Sequence, residues 1–233
     1  MLNAAWPVSI VFLTSMYISS EAAPLSLREF GQLARECAPW VSPYTLAAIA
    51  KVESDFHPLS AHDNTTGETL HWKDPAEATQ SVKERLKARH SIDVGLMQIS
   101  SKNFSALGLT PEAAFQPCIS LSAAGKLLES RYAGGKTAAA EQRALRQAIS
   151  AYNTGNLTRG FANGYVRKVE LAARKILPPL VALPEKGDEK ADPEETWDVW
   201  GPRDRNRSGS DSSNTPEMPK DGESSDDNQL IFD

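Results

Sequence analysis

Asp93-Val94-Gly95-Leu96-Met97-Gln98-Ile99-Ser100 is the stretch on which the fold turns. Its β-branched and apolar residues read as a short strand or extended segment. The apolar residues around it recur at helical spacing instead. Ser26 and Glu29 have capping-box spacing ahead of Phe30, Leu33 and Ala34, which predicts a helix running to about Ala38. Ser42-Pro43 supplies an N-cap and a first-turn proline for a second helix, in which Leu46, Ile49, Ala50 and Val52 face a core and Glu53 falls in the final turn. Pro58 enforces its exit, and Asp74-Pro75 opens a third helix towards Arg89. Further helices are expected at about 118–132, 141–153 and 162–177. In the last, Val166, Val169, Ala173 and Ile176 form one stripe and Pro178-Pro179 makes a stop. No internal repeat occurs, so a mainly α domain with a small β element follows.

Charge divides the chain. Residues 24–183 carry 19 Lys plus Arg against 14 Asp plus Glu, net +5, whereas 184–233 carry 6 against 15, net −9. The first part has the apolar content for a core. The second is rich in Ser, Asp, Glu, Pro, Gly and Asn with few aliphatics, too few to offset its chain entropy, and is expected to be a disordered acidic tail. A net +5 is far from a nucleic-acid footprint, although it suits an anionic polymer. At the other end, the apolar run Val8–Ile18 is too short to span a bilayer and is followed by Ser20-Glu21-Ala22, a small-x-small pattern. Residues 1–22 therefore read as a signal peptide cleaved after Ala22, leaving a domain over 23–183 in the periplasm. No Lys or Arg precedes the run, so an uncleaved anchor remains the alternative. No later segment approaches membrane-spanning length.

In such an oxidising compartment the two cysteines, Cys37 and Cys118, are expected to form a disulfide. His57, His62, His71 and His90 lack the paired spacing of a metal site and read as structural or solvated. No metal and no cofactor are expected.

Three ordered strings carry the chemistry: Glu53-Ser54, Gly95-Leu96-Met97-Gln98-Ile99 and Ala151-Tyr152-Asn153-Thr154-Gly155. A carboxyl at a helix C-terminus meets the negative end of the helix dipole, and Ile49, Val52 and Phe56 surround Glu53 with apolar groups. Both effects raise its pKa, which suits a general acid, whereas most glutamates are merely solvated. Leu96, Met97 and Ile99 also read as plain core, and Gly95 as a tight backbone point. Gln98 is a polar amide among apolar neighbours, so it needs internal partners or faces a ligand. Tyr152 and Asn153 end a helix with Gly155 as C′ residue, which a structural terminus alone would explain.

Taken in order, these strings resemble the signature of the lysozyme-like lytic transglycosylases, which cut peptidoglycan glycan strands; the resemblance covers roughly residues 26–177. It implies a lysozyme-like fold with Glu53 as the catalytic acid. Ser54, Gly95, Met97, Gln98, Tyr152 and Asn153 would then lie around the substrate, Tyr152 bonding the catalytic carboxyl and Asn153 the N-acetyl group. Ordinary glycosidases employ two carboxylates. Here the resemblance implies that the substrate's own N-acetyl carbonyl assists at C1, and that Glu53 then activates the C6 hydroxyl to leave a 1,6-anhydromuramoyl end. Asp93 is a possible second carboxylate for a hydrolase of the lysozyme type, whereas Asp55 points elsewhere on its helix. The context Asp93–Ile99, together with Trp197-Asp198-Val199-Trp200 in the tail, looks most like the branch of the family serving type IV secretion systems, the VirB type. That implies secretion-system components as partners, engaged through 184–233. A weakly active, wall-binding assembly scaffold is the alternative of another class.

Overall fold

Helix starts in this protein coincide with residues able to satisfy free amides. The computed structural model describes residues 23–181, with side chains to Ile176. The expected signal peptide 1–22 and tail 184–233, with its tryptophans, lie outside the described residues. Helix α1 (Leu27–Cys37) begins with the capping box complete: Ser26 Oγ accepts from the Glu29 amide at 3.3 Å, and the Glu29 carboxylate accepts from the Ser26 amide at 2.9 Å. Helix α2 (Pro43–Glu53) starts on its proline, although Ser42 makes no side-chain cap bond. Helix α3 (Pro75–Lys87) is capped by Asp74, whose Oδ1 accepts from Glu77 at 2.8 Å.

The expected single extended segment over 93–100 is instead a hairpin. Strands β1 (Ser60–Asp63), β2 (Glu68–His71), β3 (Ile92–Val94) and β4 (Ile99–Ser100) form an antiparallel sheet in the order β2-β1-β3-β4. Val94 pairs with both Ala61 and Ile99. Between β3 and β4 the chain reverses, with the Gln98 amide donating to Gly95 O at 3.0 Å. Gly95 and Gln98 adopt φ of +82° and +47°, which no strand can contain. Buried Asp63 ties sheet to helix: it accepts from Arg85 on α3 and from His90, each at 2.7 Å. Burial works to raise its pKa, but these donors hold its carboxyl below the ordinary range.

The remaining chain is helical. A 3-10 turn (Ser101–Asn103) runs into α4 (Phe104–Leu107), then α5 (Pro111–Ala114), α6 (Pro117–Arg131), α7 (Ala138–Thr154), α8 (Arg159–Ala162) and α9 (Tyr165–Val181). The helix expected at 141–153 starts earlier because Thr137 Oγ1 accepts from the Ala140 amide at 3.2 Å. The segment expected as one helix over 162–177 is broken at Gly164, which has φ +80°. Pro178-Pro179 does not stop α9, which continues to Val181. Proline φ is compatible with a helix, and the carbonyls left without donors belong to exposed Arg174 and Lys175, where water can serve them.

At the centre lies α2. Its residues Thr45 to Ala50 are all fully buried, not just the expected face, while Val52 is only partly covered. Ala47, Ala48 and Ala50 are small enough to let α1, α6 and α9 approach from different sides. Cys37 at the end of α1 is bonded to Cys118 in the first turn of α6.

That bond closes a loop across a sequence separation of 81. Replacing both cysteines by serine is expected to lower unfolding free energy by roughly 4 kcal/mol on the chain-entropy account. Urea denaturation of the two proteins measures it, and coincident midpoints would contradict it.

Candidate active site

Four segments distant in sequence converge on one cleft. It is lined by Glu53, Asp93, Gln98, Ser100, Asn103, Leu127, Tyr152 and Asn153. Glu53 is the last residue of α2, and the chain leaves it through Asp55 and Phe56, with φ of +51° and +66°. Those two left-handed residues turn the backbone away, so Glu53 stays at the cleft. Asp55, as expected, points elsewhere: it is exposed and paired with Lys51. Asp93 is the middle residue of β3. Strand alternation sends its neighbours Ile92 and Val94 into the core and leaves Asp93 on the opposite face.

Desolvation dominates the Glu53 carboxyl. Its burial raises the pKa, the hydrogen bond from Tyr165 lowers it, and the charge of Asp93 raises it, with the result near 8. Neutral-pH Glu53 is therefore mostly protonated, the state in which a carboxylic acid donates a proton. The Tyr165 hydroxyl donates directly to Glu53 Oε1. Both Tyr165 and Tyr152 have pKa values pushed further above the phenolic range, chiefly by burial, so both remain donors.

The expected tyrosine is thus replaced by another. Tyr152 does not bond Glu53; its hydroxyl donates to Met97 O at 2.6 Å. The end of α7 brings the Tyr152 ring against the β3–β4 turn, whose carbonyl captures the hydroxyl first. Tyr165, absent from the sequence reading, sits at the start of α9. A signal for it existed: Tyr165, Val169, Ala172 and Ile176 share one buried helical stripe, and a phenol on such a stripe needs a polar partner.

Of the residues expected around the substrate, Gln98, Tyr152 and Asn153 line the cleft, and Asp93 joins them. Ser54, Gly95 and Met97 stand behind its wall. Ser54 is buried and donates to Leu96 O at 2.7 Å, while the Met97 amide donates to Ser120 Oγ at 3.1 Å. A β-carbon on Gly95 would meet Ala114 O at 2.2 Å, so glycine serves close packing there rather than substrate approach. Gln98 Nε2 donates to Gly95 O at 2.8 Å and reaches Ser60 O and Oγ at 3.3 and 3.2 Å. Asn153 is exposed at the rim, its Oδ1 accepting from Asn163 Nδ2 at 3.1 Å. None of the four histidines lines the cleft: His90 holds Asp63, His62 contacts Thr69, and the rings of His57 and His71 meet edge to face. A second, wider groove between α3, α5 and the start of α6 has apolar walls, and its carboxylate, Glu112, is committed to Lys83.

Known proteins resemble this chain over most of its length. The family described as Transglycosylase SLT domain matches residues 33–174. A protein of Agrobacterium fabrum named Protein virB1 is 67% identical over 201 residues, covering 86% of this chain and 82% of that relative. A Rhizobium radiobacter protein of the same name is 56% identical over 237 residues, covering 100% and 99%. The Type IV secretion system protein virB1 of Brucella abortus biovar 1 is 35% identical over 162 residues, covering 65% and 67%. No solved structure matches.

Because folding raises the Glu53 pKa from 4.5 to about 8, the folded state binds its proton more tightly than the unfolded chain does. Its contribution is complete below pH 4.5 and is lost as pH rises through 8. Melting temperatures followed from pH 4 to 9 are expected to show this decline in the wild type and to lack it in Glu53→Gln. Tyr165→Phe removes a bond that lowers the Glu53 pKa, so its decline should extend to higher pH. A Tyr165→Phe profile superimposable on wild type would contradict the coupling.

Proposed function

The chain belongs to the Transglycosylase SLT domain family, and from that premise we propose that it cleaves the β-1,4 bond between N-acetylmuramic acid and N-acetylglucosamine in peptidoglycan, leaving a 1,6-anhydromuramoyl end. One observation carries the proposal: the Glu53 carboxyl is kept protonated near neutral pH by burial and held in the cleft by a hydrogen bond from Tyr165. Protonated Glu53 donates to the glycosidic oxygen as the bond to C1 breaks. The N-acetyl carbonyl of the muramic acid assists at C1. Glu53, now a carboxylate, takes the proton of the C6 hydroxyl as that oxygen closes on C1, and is reprotonated in the same step. Tyr165 holds one carboxyl oxygen in place through both transfers, while Asn153 at the rim meets the N-acetyl group and Gln98 lines the wall.

Asp93 favours a second reading. It lies in the same cleft and acts electrostatically on Glu53, so a hydrolase of the lysozyme type would pair these two carboxylates. Products separate the readings. Mass spectrometry of digested peptidoglycan is expected to find anhydro ends, and reducing ends would move the assignment to hydrolysis through Asp93. Glu53→Gln keeps the side-chain shape and removes the acid, with an expected rate loss of at least ~10²-fold; wild-type digestion by this variant would sink both readings.

The name of the Brucella abortus relative, Type IV secretion system protein virB1, supports a role beside a secretion apparatus. We assign the protein a periplasmic role, exported through residues 1–22, in opening the wall locally for a type IV secretion system, with residues 184–233 recruiting its components. That segment's net −9 opposes the +5 of the body, and its Trp197 and Trp200 are large apolar groups suited to a short binding motif. Truncation after Leu183 is expected to leave wall cleavage unchanged and to weaken co-purification with secretion-system components. Loss of cleavage, or unchanged association, would contradict the division of labour.

A further inference from the structure

Cations gather on α8 and α9 without carboxylates to meet them. Arg159, Arg167, Lys168, Arg174 and Lys175 are exposed, and none makes a side-chain hydrogen bond or ion pair with another described residue. The acid on this stretch, Glu170, is committed to Arg146 on α7 at 2.7 Å. At 3.6 residues per turn, Arg167, Lys168, Leu171, Arg174 and Lys175 fall within an arc of about 120°, opposite the buried stripe of Tyr165, Val169, Ala172 and Ile176. The large apolar side chains left exposed among the described residues, Leu157, Phe161 and Leu171, occur in the same stretch of chain. A face that is cationic and apolar together suits an acidic segment carrying aromatic residues.

The sequence carries such a segment just beyond α9. Residues 185–200 hold seven Asp plus Glu against two Lys, net −5, and end in Trp197-Asp198-Val199-Trp200. Pro184 and Gly187, residue types that favour turns, follow the end of the helix at Val181. The distances agree with a return along the helix. At 1.5 Å per residue, Lys175 and Arg167 lie roughly 9 and 21 Å back from Val181. An extended chain returning from Gly187 at about 3.3 Å per residue draws level with Lys175 after about three residues and with Arg167 after about six. That places Asp188, Glu189, Asp192, Glu194 and Glu195 beside the cations. Trp197 and Trp200 then pass the start of α9, where α8 packs against it with Phe161 exposed.

We infer that residues 185–200 dock on the exposed face of α8 and α9, their carboxylates against Arg167, Lys168, Arg174 and Lys175 and their tryptophans against Leu171 and Phe161. Single exposed ion pairs are weak and screened by salt, so none of them would hold a separate peptide. Covalent attachment changes the balance. A segment tethered through a few residues stands at an effective concentration of roughly millimolar, so a contact with a millimolar dissociation constant seats it half of the time. Anionic lipid would meet the same cations, but the acidic segment is already attached and brings aromatic groups for the apolar side chains as well. The inference does not depend on the glycan substrate. It bears on recruitment, because this face and a secretion component would compete for Trp197 and Trp200.

The test is carbodiimide crosslinking of the full-length protein, which joins lysine amines to carboxylates in contact, read by mass spectrometry of the monomeric fraction. Links from Lys168 to Glu194 or Glu195 are expected at about 50 mM salt and should fall about fivefold at about 0.5 M, where the Debye length is shorter than an ion-pair network needs. Arg167→Glu combined with Arg174→Glu keeps both lysines as reporters and should lower those links by a similar factor. Its melting temperature should match the wild type, because both arginines are exposed and unpaired. Trp197→Ala with Trp200→Ala, which touches no residue of the described fold, should also lower the links. Links confined to Lys175 with Asp188 and Glu189, which chain proximity alone provides, would overturn the docking. So would links spread evenly over the lysines of the body, or found only between two molecules. Vesicles of phosphatidylglycerol supply the last arm: if they bind the wild type but not the double arginine variant, and the Lys168 links are absent, the face serves lipid and the docking falls.

Discussion

Burial of helix α2 on all sides is the constraint from which the site follows. A helix with only one covered face ends at the surface, and a glutamate at its terminus is solvated. Here Thr45 through Ala50 are enclosed, so Glu53 emerges from the core into a cleft rather than into bulk water. Desolvation is therefore the largest influence on its carboxyl, and the neutral acid follows from packing. The cost appears at the exit, where Asp55 and Phe56 both take left-handed backbone, unfavourable by roughly 1–2 kcal/mol per residue. Phe56 offsets this by burying its ring edge to face against Phe30, with centroids 5.2 Å apart.

The β3–β4 turn is the second fixed point. Its main-chain groups receive or supply a bond from every neighbouring wall: Ser54 from α2 to Leu96 O, Tyr152 from α7 to Met97 O, and the Met97 amide to Ser120 on α6. The Gly95 amide donates to Ser60 O at 2.8 Å and joins the turn to β1. Backbone contacts of this kind hold position without depending on flexible side chains, which keeps a proton donor and a substrate at fixed separation. The three strings in the sequence are thus partly a clamp. Glu53, Gln98, Tyr152 and Asn153 face the cleft, while Ser54, Gly95 and Met97 hold them there.

Among the described residues no helix is long and apolar enough to cross a membrane. Assigned roles then divide by depth. Glu53, carrying the hydrogen bond from Tyr165, is half-buried in the cleft wall, whereas Asn153 lies exposed at the rim.

Local chemistry made much of this legible from the residues in order. The Ser26–Glu29 box, Pro43 and Asp74-Pro75 act within one turn, so their spacing alone located helix starts. Two cysteines in the chain left one intramolecular pairing. Glu53 at a helix end among apolar neighbours was readable for the same reason. Tertiary structure alone decided which phenol meets that carboxyl, because Tyr165 lies 112 residues away and competes with Tyr152 for it. It also decided that Met97 O captures Tyr152 across 55 residues and that the stretch 93–100 reverses rather than extends. Periodicity and capping report forces acting over three or four positions; hydrogen bonds closed across the fold depend on which surfaces pack together, and no short pattern records that.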